Sequence, residues 1–224
     1  MPKSYRGRRY IGGRKTRGRR RLTKVEKKQV VKIVRANQEL KYFNSITAAS
    51  GLSTTPTMFQ LTNIPQGDTD TTRDGDRLKL LKFYVRGSFV FGDSTNFIRL
   101  IFFQWKPNST PVSTSVLLPG PSGSVDYLSQ YNHDLRQEYK ILYDKTFTLV
   151  SYSQVGVPSN QYIPIASNSI KLFKFMRKPK STNLQYTGGT TSGTNQVWWM
   201  AMTDSSVVPH PAIEMSVKFM FTDG

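Results

Sequence analysis

From Tyr42 onward the chain alternates apolar and polar positions with a period of two. In Leu81, Phe83, Val85, Gly87, Phe89 and Phe91 one face is mostly apolar, and Lys82, Tyr84, Arg86 and Ser88 stand between them. That pattern predicts a strand buried on one side and wet on the other. Ile213, Met215, Val217, Phe219 and Phe221 repeat it against Glu214, Ser216, Lys218 and Met220. Tyr139, Ile141, Tyr143, Phe147 and Leu149 do the same, with Lys145 as the exception. Phe43–Ala49, Met58–Asn63, Phe97–Trp105, Ile170–Arg177 and Val197–Thr203 bring the predicted strands to about eight. Phe97–Trp105 and Val197–Thr203 are apolar on both faces, which places them centrally in a sheet.

The connections are long and rich in turn formers: "GLSTTPT" at 51–57, "KPNSTPVSTS" at 106–115, "LPGPSGS" at 118–124 and "TGGTTSGTN" at 187–195. Long connections between many short strands fit a Greek-key arrangement better than an up-and-down meander. The predicted class is all-β, an eight-stranded antiparallel jelly-roll sandwich over residues 42–224, a size that one β domain can fill.

Before Tyr42 the period changes. Thr23-Lys-Val-Glu26 matches a capping box, in which threonine and glutamate satisfy each other's free amides at a helix start. A helix from about Lys24 to about Leu40 follows, within a segment 22–41. Val30, Ile33, Val34 and Leu40 give it a narrow apolar stripe, while Lys24, Lys27, Lys28, Lys32 and Arg35 keep the other faces basic. Such a helix either docks on the core or turns its basic face to a polyanion; periodicity alone does not separate the two.

Charge changes the picture most at the N-terminus. The net charge is +18. Residues 1–35 carry 15 Lys/Arg against Glu26 alone, a balance of +14, and residues 36–224 carry 17 against 13 Asp/Glu, a balance of +4. Residues 1–21 hold Lys3, Arg6, Arg8, Arg9, Arg14, Lys15, Arg17, Arg19, Arg20 and Arg21, with no carboxylate and little to bury. They are expected to form a disordered arm, because self-repulsion and lost chain entropy oppose folding. Arginine's planar, permanently charged fork suits phosphate oxygens, so the arm is predicted to bind a nucleic-acid backbone without reading sequence. "RGRR" and "RKTRGRRR" also read as nuclear-localisation clusters. A second basic stretch, "KLFKFMRKPK", places Lys171, Lys174, Arg177, Lys178 and Lys180 along a strand and is a further candidate contact.

Other chemistry is thin. There is no cysteine, and only His133 and His210. Ser129, His133 and Asp134 lack a nucleophile elbow, so a polar turn is the expected reading and no enzyme is predicted. Asp68, Asp70, Asp74 and Asp76 form an oxygen-rich run that could hold a cation, though not with EF-hand spacing; Arg73 and Arg77 are the expected partners of these carboxylates. No phosphate-cradling glycine loop is present, so no cofactor is expected. The longest apolar run, Val197–Met202, has six residues, against about 20 for a membrane-spanning helix.

The series "RRRLTKVEKKQVVKIV" (19–34), "RDGDRLKLLKFYVRGSF" (73–89), "NFIRLIFFQW" (96–105), "YNHDLRQEYKILYDKTFTL" (131–149) and "QVWWMAMTDSS" (196–206) resembles the coat proteins of small icosahedral viruses. In detail it is similar to the capsid proteins of circular, Rep-encoding single-stranded DNA viruses, the circovirus-like group, whose fold is similar to the satellite necrosis virus coat. The resemblance implies a self-assembling icosahedral shell of about 60 copies around a single-stranded genome, DNA before RNA. It also implies the virion, and the host nucleus during assembly, as the places of action. A ribosomal or nucleoid protein with a basic tail is the alternative.

Overall fold

The computed structural model describes residues 23–37, 39–92, 95–150, 170–179, 182–206 and 208–223. The chain divides into two units, residues 1–38 and 39–224. In the first, helix α1 runs over Lys24–Asn37, three residues short of the predicted Leu40. Asparagine favours helix ends over interiors, and Lys41 already belongs to the first strand of the second unit.

That second unit contains β1 (Lys41–Ala49), β2 (Thr57–Gln60), β3 (Arg77–Val90), β4 (Thr95–Trp105), a one-turn helix α2 (Ser113–Val116), β5 (Tyr139–Val150), β6 (Ile170–Arg177), β7 (Thr182–Tyr186), β8 (Gly193–Thr194), β9 (Gln196–Thr203) and β10 (Ala212–Asp223). Six strands form one sheet in the order β1-β10-β3-β7-β8, with β6 also paired to β3; four form another, β2-β9-β4-β5. Every strand pair is antiparallel, and the first strand lies beside the last. This is the predicted all-β jelly roll.

Alternation buries one face of each sheet against the other. Phe83 of β3 stacks on Phe102 of β4 at 6.2 Å, and Phe89 of β3 meets Phe147 of β5 at 4.9 Å. Phe219, Phe221, Leu100 and Trp199 complete this core. Each fully buried Phe or Leu contributes about 2–3 kcal/mol. As their two-faced sequences require, β4 and β9 are central. Their outward residues Ile101, Phe103, Trp105, Met200 and Met202 form a second cluster, roofed by Val116, Leu117, Val125 and Tyr139. The roof includes α2, which lies in a stretch predicted to be loop.

Two bulges correct the predicted alternation. In β10, Met220 pairs with Lys82 but Phe221 pairs with Leu80, so Leu81 is the extra residue; it is exposed while Leu78 and Leu80 are buried. At the same place β3 changes partners, with β6 facing Phe83–Val90 and β7 facing Arg77–Leu80. In β5, Tyr143 pairs with Phe102 but Ile141 with Phe103, leaving Leu142 extra. Tyr139 and Ile141 therefore join the outer cluster, and Tyr143, Phe147 and Leu149 the inner one. One inserted residue inverts the parity of everything beyond it.

Candidate nucleic-acid interface

The predicted arm residues, Lys3 to Arg21, lie outside the described residues. α1 begins with the reciprocal cap its sequence specifies: the Thr23 amide donates to Glu26 Oε2 at 2.7 Å, and the Glu26 amide to Thr23 Oγ1 at 3.2 Å. The Thr23 amide, and less strongly the Thr23 hydroxyl, hold the Glu26 carboxyl below its ordinary pKa. Lys24, Lys27 and Lys28 are exposed. Their spacing continues to Lys32 and Arg35 in steps that return to one helix face, although the side chains of those two lie outside the described set. Val25, Val30 and Ile33 are exposed as well.

In the second unit the outer faces of the two sheets differ in kind. That of the four-stranded sheet is apolar and roofed. That of the six-stranded sheet is open, and register decides what it carries. Ile46, Ser216, Arg86 and Lys174 form one row across β1, β10, β3 and β6; Asn44, Lys218, Tyr84 and Met176 form the next. Lys82 and Lys79 continue the face along β3, so it bears Lys79, Lys82, Arg86, Lys174 and Lys218, with Glu214 as the carboxylate among the described strand residues. Arg86 stands directly opposite Lys174. Lys82 lies 5.2 Å from the Tyr84 ring and Lys218 4.5 Å from the Tyr42 ring. Toward Val90 and Ile170 the face turns apolar, and a groove of about 730 Å³ is lined by Ile46 and Leu172 together with Arg86, Lys174 and Glu214.

The stretch Lys171–Lys180, predicted as one patch, is divided, and Lys180 lies outside the described residues. Phe173 and Phe175 turn inward, which leaves Lys174 on the open face and puts Lys171 and Arg177 on the other side of the strand. Arg177 reaches across to the Leu142 carbonyl at 3.1 Å and lies over the Tyr143 and Phe175 rings. Lys178 is exposed just past β6. Sequence reading had Lys82, Arg86 and Lys218 only as separate wet positions; strand register is what joins them to Lys174.

The acidic run serves internal cations. Lys41, buried at the start of β1, pairs with Asp74 and, at 3.1 Å, with Asp223; although burial opposes its charge, the two carboxylates raise its pKa overall. Arg73 pairs with Asp76 at 2.9 Å, whereas Arg77 makes no ion pair among the described residues, contrary to expectation. Asp68 and Asp70 are exposed, and no three potential metal ligands gather among the described residues. Ser129 Oγ bonds to Asp126 rather than to His133, which is exposed in the turn before β5. His210 meets the Ser205 hydroxyl at 3.2 Å.

Comparison with known proteins adds three findings. No curated protein matches the sequence. A solved chain from Desmodium yellow mottle tymovirus superposes with a TM-score of 0.34 at 10% identity, over 83% of this chain and 88% of that one. The family model for the satellite tobacco necrosis virus coat protein matches residues 13–224. That match replaces the ribosomal or nucleoid alternative with a viral coat, and it lends no support to the circovirus-like assignment. A jelly roll with a basic N-terminal segment, matched by this model over nearly its whole length, belongs to the satellite tobacco necrosis virus coat protein family.

Proposed function

We propose that this coat protein condenses single-stranded nucleic acid inside a closed shell of its own copies, with residues 1–21 and the basic face of α1 as the main contact. The observation that carries this reading is the concentration of charge: 15 Lys/Arg against one Glu within residues 1–35. Like charges at that density are stabilised when phosphates lie among them and counterions are released. An extended arm of 21 residues reaches about 70 Å, enough to leave the body and follow a strand. In a shell of about 60 copies, the ten arm charges of each copy together offset about 600 phosphates.

Deleting residues 1–21 tests the reading. Particles of the deleted protein are expected to contain less nucleic acid, seen as a lower ratio of absorbance at the nucleic-acid and protein maxima. An unchanged ratio overturns the role of the arm. The finer parts of the proposal have separate readouts. A 60-copy shell is read from particle mass. A circular single-stranded DNA cargo, supported by the resemblance to the circovirus-like group, is read from nuclease digestion of extracted cargo. Nuclear entry through "RGRR" and "RKTRGRRR" is read from the location of a reporter fused to residues 1–21.

A further inference from the structure

We propose that the cationic part of the open sheet face is a second contact for the packaged strand, with phosphates held between Arg86, Lys174 and Lys218 and a base stacked on Tyr84. This rests on the packaging reading above and extends it from the arm to the folded body.

The starting point is an unfavourable pair. Arg86 and Lys174 occupy directly opposed positions on β3 and β6, an arrangement that destabilises a sheet when nothing neutralises it. Neither forms an ion pair among the described residues, and Glu214 stands one row away, opposite Ser88. The next row places Lys218 opposite Tyr84. Neighbouring strands lie about 4.8 Å apart and alternate residues about 6.8 Å along a strand, so these groups are spaced to meet successive phosphates of one flexible strand. A guanidinium fork matches phosphate oxygens, and an exposed tyrosine ring accepts any base. Tyr84 is 38% exposed, enough to offer its ring.

Five cations, Lys79, Lys82, Arg86, Lys174 and Lys218, against Glu214 on the described strands of this face complement a polymer of phosphates. Arg86 and Lys174 also border the groove that Ile46 and Leu172 line; its apolar wall forms no part of the proposal.

The test is the salt dependence of binding of the full chain to labelled oligothymidylate, below the concentration at which particles form. Each phosphate contact on a single strand contributes about 0.7 to the slope of log K against log salt. The double variant R86Q/K174Q is therefore expected to lose about 1.4 from the wild-type slope. Arg86→Lys, which keeps the charge, is expected to stay close to wild type. The control pair R136Q/K106Q, which removes the same charge from loops bordering the other sheet, is expected to leave the slope unchanged. A wild-type slope in R86Q/K174Q overturns the proposal, and so does a loss of particle formation at unchanged slope, which would make the face a contact between copies. If the wild-type chain itself shows no salt-dependent binding, the packaging reading fails first and the sheet contact falls with it.

Discussion

Arg99 of β4 and Asp144 of β5 meet in a two-pronged ion pair: Nε donates to Oδ1 at 3.1 Å and Nη2 to Oδ2 at 2.8 Å. The remaining nitrogen, Nη1, donates to the carbonyls of Ser129 at 2.5 Å and Tyr127 at 3.3 Å, and the Tyr131 hydroxyl donates to the same Asp144 carboxylate. One guanidinium thus ties the loop before β5 to the sheet beneath it. Arg99 is 8% exposed, so removing it leaves the Ser129 and Tyr127 carbonyls without their donor, while the more exposed Asp144 keeps the Tyr131 hydroxyl. Arg99→Leu is expected to destabilise the body by about 1–3 kcal/mol, with the double variant R99L/D144L recovering part of the loss. Urea unfolding of the single and double variants measures both.

Arg73 plays the corresponding part for the loop before β3. Fully buried, it donates to the Ile64, Gly75 and Thr190 carbonyls and to Asp76, and its guanidinium lies 4.2 Å from the Tyr186 ring. These contacts join the Asp-rich loop before β3 to the turn between β7 and β8. A lysine keeps the charge but cannot reproduce the fork or the stacking. Arg73→Lys is expected to cost about 2–4 kcal/mol, read as a lowered melting temperature.

Much of this was legible in the sequence. The capping box, the long one-sided strands and the two central strands follow from local spacing, because each reflects a periodicity a single segment carries alone. What escaped depended on partners. β7 and β8 are short, and β7 is defined by its pairing with the end of β3 that β6 leaves open. Period-two spacing puts Leu81 and Tyr139 on the wrong face because a bulge is a relation between two strands. Arg73 is legible as a partner of the Asp run because it lies inside it, whereas Lys41, 33 residues from Asp74, is brought there only by the fold. The cationic sheet face was missed as a unit for the same reason: Arg86, Lys174 and Lys218 are far apart in the chain and adjacent only in register.

Gly87 marks a close approach in that sheet. A Cβ there would fall 2.7 Å from the Glu214 carbonyl and from Met215 Cβ, and 2.6 Å from the tip of the Phe173 ring. The ring can swing; the β10 backbone cannot, because it is paired on both sides. Gly87→Ala is expected to destabilise by about 1–3 kcal/mol through overpacking, despite alanine's greater stiffness in the unfolded chain. Equilibrium unfolding measures the loss, and a stabilised variant would mean the strands can part without penalty.

The N-terminal cap sets a pH dependence that can be read without the rest of the protein. Glu26 is the sole side-chain carboxylate in residues 22–38, and its carboxyl is held below the ordinary value by the Thr23 amide and hydroxyl. A carboxyl with a lowered folded-state pKa adds stability above its unfolded pKa and loses it as pH falls through the folded value. Helicity of a capped peptide of residues 22–38 is therefore expected to fall on acidification below about pH 4.3, the ordinary glutamate value. A helix this short is marginal in isolation, so the change appears directly in circular dichroism. Glu26→Gln keeps an acceptor for the Thr23 amide but removes the titration, so its helicity is expected to stay flat across the same range. Thr23→Ala lowers helicity at every pH by removing the hydroxyl acceptor. An acid transition in Glu26→Gln as large as that of the parent would show that the capping carboxylate is not what titrates.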